Sequence, residues 1–386
     1  MSCLAVDYYA ADHLGYGRMG MQVHDGLLRA GVRVDTDVLA SDAGTVLFIK
    51  IPPLAKRWRS GQRPIIWTMY ETTEVPVEFR DLDDFETVVV PCEANREAFA
   101  KWHGNVHAVP LAVDERWRYR RPRVDGPFKV FASGSEKRKG LDVACEVFQK
   151  AFPGNNDVRL VLKTPTDMTF GLPSDVRFER VTGFLSSWRE VQLYASANVY
   201  LGLSRGEGFG MMPLQAIVQG TPTLLSAGHG HAEFQHYGIP VDTELVEATE
   251  YRLYGEAGCW WEPSVDDAVD KLRDVYNNYE SHVAVATYNA MHASEEFTWD
   301  NTVARLLDVL GPLPEYEGDG GIRRRRLGDV PVVTSHRVVA DIGPRHIEFE
   351  AGQEYWTHPD VKRVLRDAGY VTDDSWHDVR IRREAS

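Results

Sequence analysis

The chain has little of several features that define whole protein classes. Its 386 residues include only four cysteines, and Cys3, Cys92, Cys145 and Cys259 form no CxxC pair. Neither a zinc knuckle nor a disulfide framework is indicated, so reduced cysteines are expected. No apolar run is long enough to span a bilayer, and the first residues lack a basic region followed by a long apolar core. The sequence therefore predicts a cytoplasmic protein with no transmembrane segment and no signal peptide.

Positive charge is also scarce. The chain has 43 lysines and arginines against 57 aspartates and glutamates, and its net charge is −14. Binding along a nucleic-acid backbone needs clustered cations, so duplex nucleic acid is not an expected partner. The one arginine run, Arg323–Arg326, is typical of a solvated linker.

Short β-rich apolar runs alternate with segments of helical spacing, which is typical of α/β folds with parallel sheets. Polar, proline-containing stretches interrupt this alternation and indicate linkers. We predict two Rossmann-like domains that face a cleft, followed by a small α+β module with an antiparallel unit around Gly343–Pro344 and a short helix ending at Gly369. The expected boundaries are 1–118 for the first domain, 119–312 for the second, 313–329 for a linker and 330–386 for the terminal module. Closing helices at about 281–310 are expected to pack back on the first domain.

Three loops at predicted strand ends carry candidate site residues, because ligands of open parallel sheets bind at the carboxyl ends of the strands. Gly15–Gly20 reads GYGRMG, which is the dinucleotide fingerprint GxGxxG but is weak alone; we favour a glycine-rich turn facing the cleft, with Gly15 and Gly17 close to a ligand. SGSEKRKG places Arg138 and Lys139 before a helix, where cations suit a phosphate, although a solvated basic turn is equally compatible. Lys163 ends another predicted strand and either joins this edge or extends to solvent.

The fourth loop lies in SRGEGFGMMPLQAIVQGTP, residues 204–222. A buried strand is predicted before it, and its glycines allow a sharp turn and close approach to a ligand. Pro213 suits the first turn of a helix, where its missing N–H costs nothing. Glu207 and Gln215 therefore fall near the amino end of this helix, with Gln215 expected in its first turn. A carboxylate and an amide at this position suit sugar hydroxyls, which both donate and accept.

This stretch resembles the E-x7-E motif of the retaining GT-B glycosyltransferases of family four, written S-x-x-E-G-F-G-x-x-x-x-E-A-x-x-x-G-x-P. The R-K-G loop of that family is matched by Arg138–Gly140, and its F-x-W by FTWDNTVARLL at residues 297–307. WTMYETTEVP, VVVPCEANREAF and VPLAVDERW extend the resemblance into the first domain, so that it covers about residues 1–312. Residues 330–372 faintly resemble small modules of tailed-bacteriophage proteins, which suggests a phage-encoded enzyme in a host cytoplasm; a private stabilising extension is the alternative.

The resemblance implies a nucleotide-diphosphate-sugar donor, retention of anomeric configuration, and neither a metal nor a permanently bound cofactor. It implies that Arg138 or Lys139, or both, hold the diphosphate, with Lys139 the better match to the family lysine. It also implies that Glu207 orients the transferred sugar and that Gln215 contacts the ribose. The loop residues Gly208, Phe209 and Gly210 would bind the donor beside them. In the first domain Glu71, which follows a predicted strand, is the leading candidate facing the acceptor, ahead of Glu74, Asp12 and His13; a plain surface carboxylate is the alternative.

Two departures from the family pattern leave alternatives open. The second glutamate of the motif is Gln215 here, which either is a tolerated replacement or marks a weakened sugar-nucleotide binding or scaffolding protein. The cation that some members carry before R-K-G is absent from Ser133–Glu136, and Lys163 is a candidate substitute. A nicotinamide oxidoreductase is the third reading and rests on GYGRMG alone. The acceptor stays open among a lipid, a small glycan, a protein such as a phage virion protein, and a modified nucleobase, as do the donor base, the sugar and the oligomeric state.

Overall fold

In the computed structural model, the described residues are 2–9, 15–55, 57–117, 126–165, 175–249 and 257–314, with backbone strands at 322–324, 332–333, 338–342, 345–349 and 354–355. The chain divides into two compact units, residues 1–323 and 324–386. Among the described residues, none of the helices combines the length and the apolar character needed to cross a bilayer.

The first unit contains two parallel sheets, as predicted, and each has six strands. The central strands of both sheets are mostly buried and rich in valine, isoleucine and leucine, as sheets covered on both faces require, whereas the edge strands are partly exposed. In spatial order the first sheet consists of Arg33–Asp35, Cys3–Tyr8, Thr45–Ile49, Arg63–Trp67, Thr87–Val90 and Val106–Ala108. The second consists of Phe178–Thr182, Val158–Thr164, Phe128–Ser133, Val199–Gly202, Thr223–Ser226 and Ile239–Val241.

The strand that begins at Arg33 ends early, at Asp35, although the sequence predicts a strand over residues 33–39. Asp37 causes this early end, because its Oδ1 accepts hydrogen bonds from the backbone N–H of Leu39 and of Ala40, both at 3.2 Å. Such a local side-chain-to-backbone turn competes with strand pairing.

Eight α-helices of the described residues connect and cover the sheets: Gly15–Arg29, Glu93–Phe99, Leu141–Ala151, Ser187–Ala195, Met211–Val218, Val265–Asn277, Tyr279–Glu296 and Trp299–Leu310. Two of them begin at side-chain caps, where Ser264 accepts from Asp267 N–H and Thr298 from Asn301 N–H. The helix Tyr279–Glu296 is the first of the closing helices predicted at about 281–310, and it begins two residues earlier than expected. Its exposed side carries Val285, Tyr288 and Met291, so its apolar residues do not mark a single face.

The closing helix Trp299–Leu310 packs on the first domain, against the helix Gly15–Arg29. A Cβ on Gly26 would lie 2.7 Å from Val303 Cγ2, so the two helices approach closely because residue 26 is glycine. Thr302 Oγ1 donates a hydrogen bond of 2.9 Å to the carbonyl oxygen of Pro110. This helix therefore packs on the first domain, as predicted, although it follows the second sheet in the chain.

A β-hairpin that the sequence did not reveal makes a second connection between the two sheets. Its strands are Thr243–Glu247 and Cys259–Pro263. Thr73 of the first domain donates its N–H to Cys259 O and accepts the Cys259 N–H at Oγ1, both at 2.9 Å. Trp260 of the hairpin is buried in the same core cluster as Tyr70 of the first domain.

In the second unit, Val338–Ile342 pairs antiparallel with Arg345–Phe349, and Ile342 lies opposite Arg345. This pairing agrees with the antiparallel unit predicted around Gly343–Pro344. The helix predicted to end at Gly369 lies outside the described residues.

Candidate functional site

Two cations stand at the carboxyl edge of the second sheet. Strand Phe128–Ser133 leads into a single 3₁₀ turn, Lys137–Lys139, and then into the helix Leu141–Ala151. Gly140 joins turn and helix at φ 67°, and a Cβ there would lie 1.8 Å from Leu203 O, so no other residue fits without movement. The turn thereby packs directly against the end of the strand that precedes the Glu207 loop.

Glu207 meets both cations. Lys139 Nζ lies 2.8 Å from each carboxylate oxygen of Glu207, and Arg138 Nη1 lies 3.2 Å from Oε2. Arg138 Nη1 also donates to the carbonyl oxygen of Gly206 at 2.6 Å. Glu207 and Arg138 are buried, whereas 17% of the Lys139 side chain is exposed. Lys139 is therefore the more accessible of the two cations to an anionic ligand.

The charges around Glu207 fix its protonation state. Burial acts to raise the pKa of Glu207, but Lys139 and Arg138 outweigh it and lower the pKa to about 2. The carboxyl group is therefore ionised throughout the physiological range and has no proton to give. Its chemistry is that of a fixed negative charge and a hydrogen-bond acceptor.

The first domain reaches the same cluster through Glu71, whose Oε1 lies 3.6 Å from Arg138 Nη2. The glycines of the Glu207 loop permit this approach. A Cβ on Gly206 would lie 2.0 Å from the carbonyl oxygen of Glu71, and one on Gly208 would lie 2.6 Å from Met69 Sδ. In this structure the first domain makes this close approach, and the approach of a ligand to the loop stays a prediction.

The contact at Gly206 yields a stability prediction. Gly206→Ala is expected to lower the free energy of unfolding by about 2–3 kcal/mol, because the loop or Glu71 must move. Gly104→Ala is the matched control: a Cβ there meets no atom within 4 Å, so a change below about 0.5 kcal/mol is expected. Urea unfolding of both variants measures the difference, and equal values would contradict the packing described.

The remaining predicted residues lie on neighbouring elements. Gln215 is buried in the helix Met211–Val218, where it is the fifth residue; the prediction that it lies in the first turn is wrong by one position, because the helix starts before Pro213. Lys163 is half-buried with its Nζ 6.0 Å from the Phe184 ring, and burial lowers its pKa. Phe209 is buried, with ring centroids 5.4 Å from Phe234 and 6.1 Å from Phe297, so its ring is part of the core.

A glycine-rich turn was predicted at Gly15 and Gly17, and this prediction is wrong. Both are helical, because the helix begins at Gly15. The glycine pattern instead serves packing at Gly20, where a Cβ would lie 2.5 Å from Tyr8 Cδ2 of the first strand. Asp12 and His13 lie outside the described residues.

Two histidines near Glu207 were missed. His229 and His231 follow the strand Thr223–Ser226, are 2% and 0% exposed, and have ring centroids 4.2 Å apart. His231 Nδ1 lies 3.1 Å from Ser226 O, and its Nε2 occupies the space where a Cβ of Gly210 would fall, at 2.7 Å. The pattern G-H-G-H after a buried strand is the signal that could have placed them at this edge.

The buried histidines make stability depend on pH. Burial lowers the pKa of His231 to about 4, although the charge of Glu207 opposes the shift. Below about pH 6.5 this histidine binds a proton in the unfolded chain but not in the folded protein. The free energy of unfolding therefore falls as the pH drops from about 6.5 towards 4. His231→Asn should remove about 2 kcal/mol of the loss between pH 7 and pH 5. Urea unfolding at both pH values tests this, and an unchanged pH dependence would refute it.

Comparison with known proteins places the chain in a family. The family described as Family 4 Glycosyltransferase in conflict systems matches residues 92–306, more than half of the chain. Uncharacterized protein 356 of Sulfolobus islandicus rod-shaped virus 1 is 24% identical over 185 residues, which are 46% of this chain and 50% of that protein. The chain thus spans about half the length of this curated relative.

Solved structures show the same fold. Anabaena Alr3699/HepE, solved in complex with UDP and glucose, is 12% identical with a TM-score of 0.59, over 80% of this chain and 99% of that one. Sucrose-phosphate synthase from Thermosynechococcus elongatus is 12% identical with a TM-score of 0.58, over 80% and 98%. The predicted GT-B fold is confirmed, and the chain belongs to the family 4 glycosyltransferases in conflict systems.

Proposed function

We propose that this protein transfers a sugar from a nucleoside-diphosphate sugar to an acceptor hydroxyl, with retention of anomeric configuration and without a metal. The observation that carries the proposal is the buried carboxylate of Glu207 held by Lys139 and Arg138 at the carboxyl edge of a parallel sheet. The family match and the fold shared with a structure containing UDP and glucose support the same donor class.

The cations suit the departing group. When the bond between the sugar C1 and the phosphate oxygen breaks, negative charge grows on the diphosphate and positive character on the sugar. Lys139 and Arg138 stabilise the first, because fixed charges in a site shielded from water act strongly and need no reorganisation. This is the charge stabilisation that a divalent metal supplies in other transferases, so we expect activity to survive chelation.

Glu207 binds the transferred sugar in this proposal. Because it stays ionised, it accepts hydrogen bonds from sugar hydroxyls and favours positive character on the ring, and it protonates nothing. A new bond forms between C1 and the acceptor oxygen on the face from which the phosphate leaves, which retains the configuration. The acceptor proton passes to the departing phosphate oxygen.

The other residues take supporting places in this proposal. Gln215 donates to one ribose hydroxyl and accepts from the other, in place of the family glutamate. Lys163 adds positive charge at the same edge. Gly15 and Gly17, at the amino end of their helix, face the diphosphate and the acceptor side. Glu71 releases Arg138 to the diphosphate and orients the acceptor hydroxyl. The acceptor hydroxyl belongs, in this proposal, to a protein or another macromolecule.

A nicotinamide enzyme is disfavoured by Asp35. The dinucleotide fingerprint needs an acid near the end of the second strand to bind ribose hydroxyls. Asp35 Oδ2 instead accepts hydrogen bonds from Ser41 Oγ at 2.7 Å and from Cys3 Sγ at 3.4 Å. Its carboxylate is thus already engaged within the first domain.

The test is a turnover screen. The wild-type protein is incubated with UDP-, GDP-, ADP- and TDP-sugars, with and without EDTA, and with a cell extract as acceptor source; release of nucleoside diphosphate is quantified by chromatography. We expect release from one donor class that EDTA leaves unchanged. NAD binding without release from any donor would favour the oxidoreductase, and donor binding without release would favour a binding protein.

A further inference from the structure

The Glu207 loop is anchored by a buried arginine that no motif singled out. Arg205 is 5% exposed, and all of its guanidinium nitrogens donate hydrogen bonds. Nη1 and Nη2 lie 2.8 Å from the two carboxylate oxygens of Asp142, and Nη1 lies 2.7 Å from Lys137 O. Nε and Nη2 donate to the two carboxylate oxygens of Glu262, Nη2 at 2.9 Å.

The backbone of Arg205 adds two further connections. Its N–H donates to the carbonyl oxygen of Arg138 at 2.7 Å, and its carbonyl oxygen accepts the N–H of Trp261 at 2.7 Å. One residue therefore joins the cation turn, the start of the helix Leu141–Ala151, the Glu207 loop and the hairpin strand Cys259–Pro263.

We propose that Arg205 is a positioning residue that sets the distance between Arg138 and Lys139, which take the diphosphate, and Glu207, which takes the sugar. The inference rests on the proposed function, because it assigns a role within that site. The cation turn and the Glu207 loop are far apart in sequence, and Arg205 contacts the first while lying two residues from Glu207. A shift of either part by about 1 Å would misalign the breaking bond, and misplacements of this size cost about 100-fold in rate.

Lysine cannot replace arginine here. The planar guanidinium matches two carboxylates in bidentate fashion, whereas an ammonium is a single point charge with three donors. Arg205→Lys keeps the charge that balances Asp142 and Glu262 but loses the geometry. This variant therefore distinguishes a role of Arg205 in positioning the site from a role in balancing the two carboxylates.

Arg177 offers a matched control. It is also buried, its guanidinium pairs with Asp175, and it donates to backbone carbonyls. It precedes strand Phe178–Thr182 and so lies at the amino edge of the second sheet, opposite the proposed site. Arg177→Lys should lower the melting temperature without changing the kinetics of the folded protein.

The test compares both variants with the wild type below their melting temperatures. For Arg205→Lys we expect kcat to fall about 30- to 100-fold while the Kd of the nucleoside diphosphate changes less than about threefold, since the cations remain. If kcat of Arg205→Lys were within threefold of kcat of Arg177→Lys, the assignment would be overturned. It would also be overturned if the affinity of Arg205→Lys for the nucleoside diphosphate fell by the same factor as kcat.

Hydrogen exchange distinguishes a failure of the Arg205 proposal from a failure of the proposed function. If the wild type released nucleoside diphosphate from no donor, the proposed function would fail, and hydrogen exchange would then decide the anchoring role of Arg205. Amides of residues 205–210 should exchange at least about tenfold faster in Arg205→Lys than in Arg177→Lys, because local opening follows loss of the anchor. Equal exchange in the two variants would overturn it.

Discussion

Glu207→Gln is expected to lower kcat about 100- to 1000-fold with the best donor, which is the range found when one preorganised electrostatic group is removed from an active site. The replacement keeps the size and one acceptor oxygen and removes the charge that favours positive character on the sugar. Because Lys139 and Arg138 remain, the Kd of the nucleoside diphosphate should stay the same or decrease. Steady-state release of nucleoside diphosphate and a calorimetric titration measure the two quantities.

Glu146→Gln supplies the control for this variant. Glu146 is half-exposed on the helix Leu141–Ala151 and pairs with Lys150, so its replacement should leave kcat unchanged. A Glu207→Gln enzyme with kcat within threefold of the wild type would show that Glu207 has only a structural function.

Lys139→Met is expected to have the largest effect on stability, a loss of about 3 kcal/mol. The buried carboxylate of Glu207 would keep only the longer contact with Arg138, and a buried charge that loses a partner is costly. The double variant Lys139→Met with Glu207→Gln should regain most of this loss, because the uncompensated charge disappears with its partner. Its activity should stay as low as that of either single variant.

Urea unfolding of the two single variants and the double variant gives the coupling energy. A double variant whose loss equals the sum of the two single losses would mean that Lys139 and Glu207 do not interact. Recovery of stability together with recovery of turnover would contradict the catalytic assignment of both residues.

The sequence allowed the main parts of the site to be predicted because they follow the chain locally. Arg138 and Lys139 lie in a turn between a strand and a helix, and Glu207 lies in a loop of the same kind, so strand ends alone place them at one edge. The ion pairs among them, and the pairing of Arg138 with Glu71, are observed only in the structure.

The parts that could not be predicted depend on long-range contacts. Arg205 has partners 63 residues before it and 57 residues after it, and Glu262 lies in the hairpin that was not predicted. Gly15–Gly20 was misread as a turn, since spacing does not show whether a glycine serves a ligand or, as Gly20 does, a neighbouring ring.

The central claim is that the cations beside Glu207 hold the donor diphosphate. The most direct measurement is a calorimetric titration of the nucleoside diphosphate from the best donor into the wild type, Lys139→Met and Lys150→Met. Lys150 is a half-exposed lysine on the following helix and serves as the matched control. The account predicts an affinity at least about 10-fold weaker for Lys139→Met, as loss of one charged hydrogen bond implies, and no change for Lys150→Met. Equal affinities for all three proteins would contradict it and place the diphosphate elsewhere.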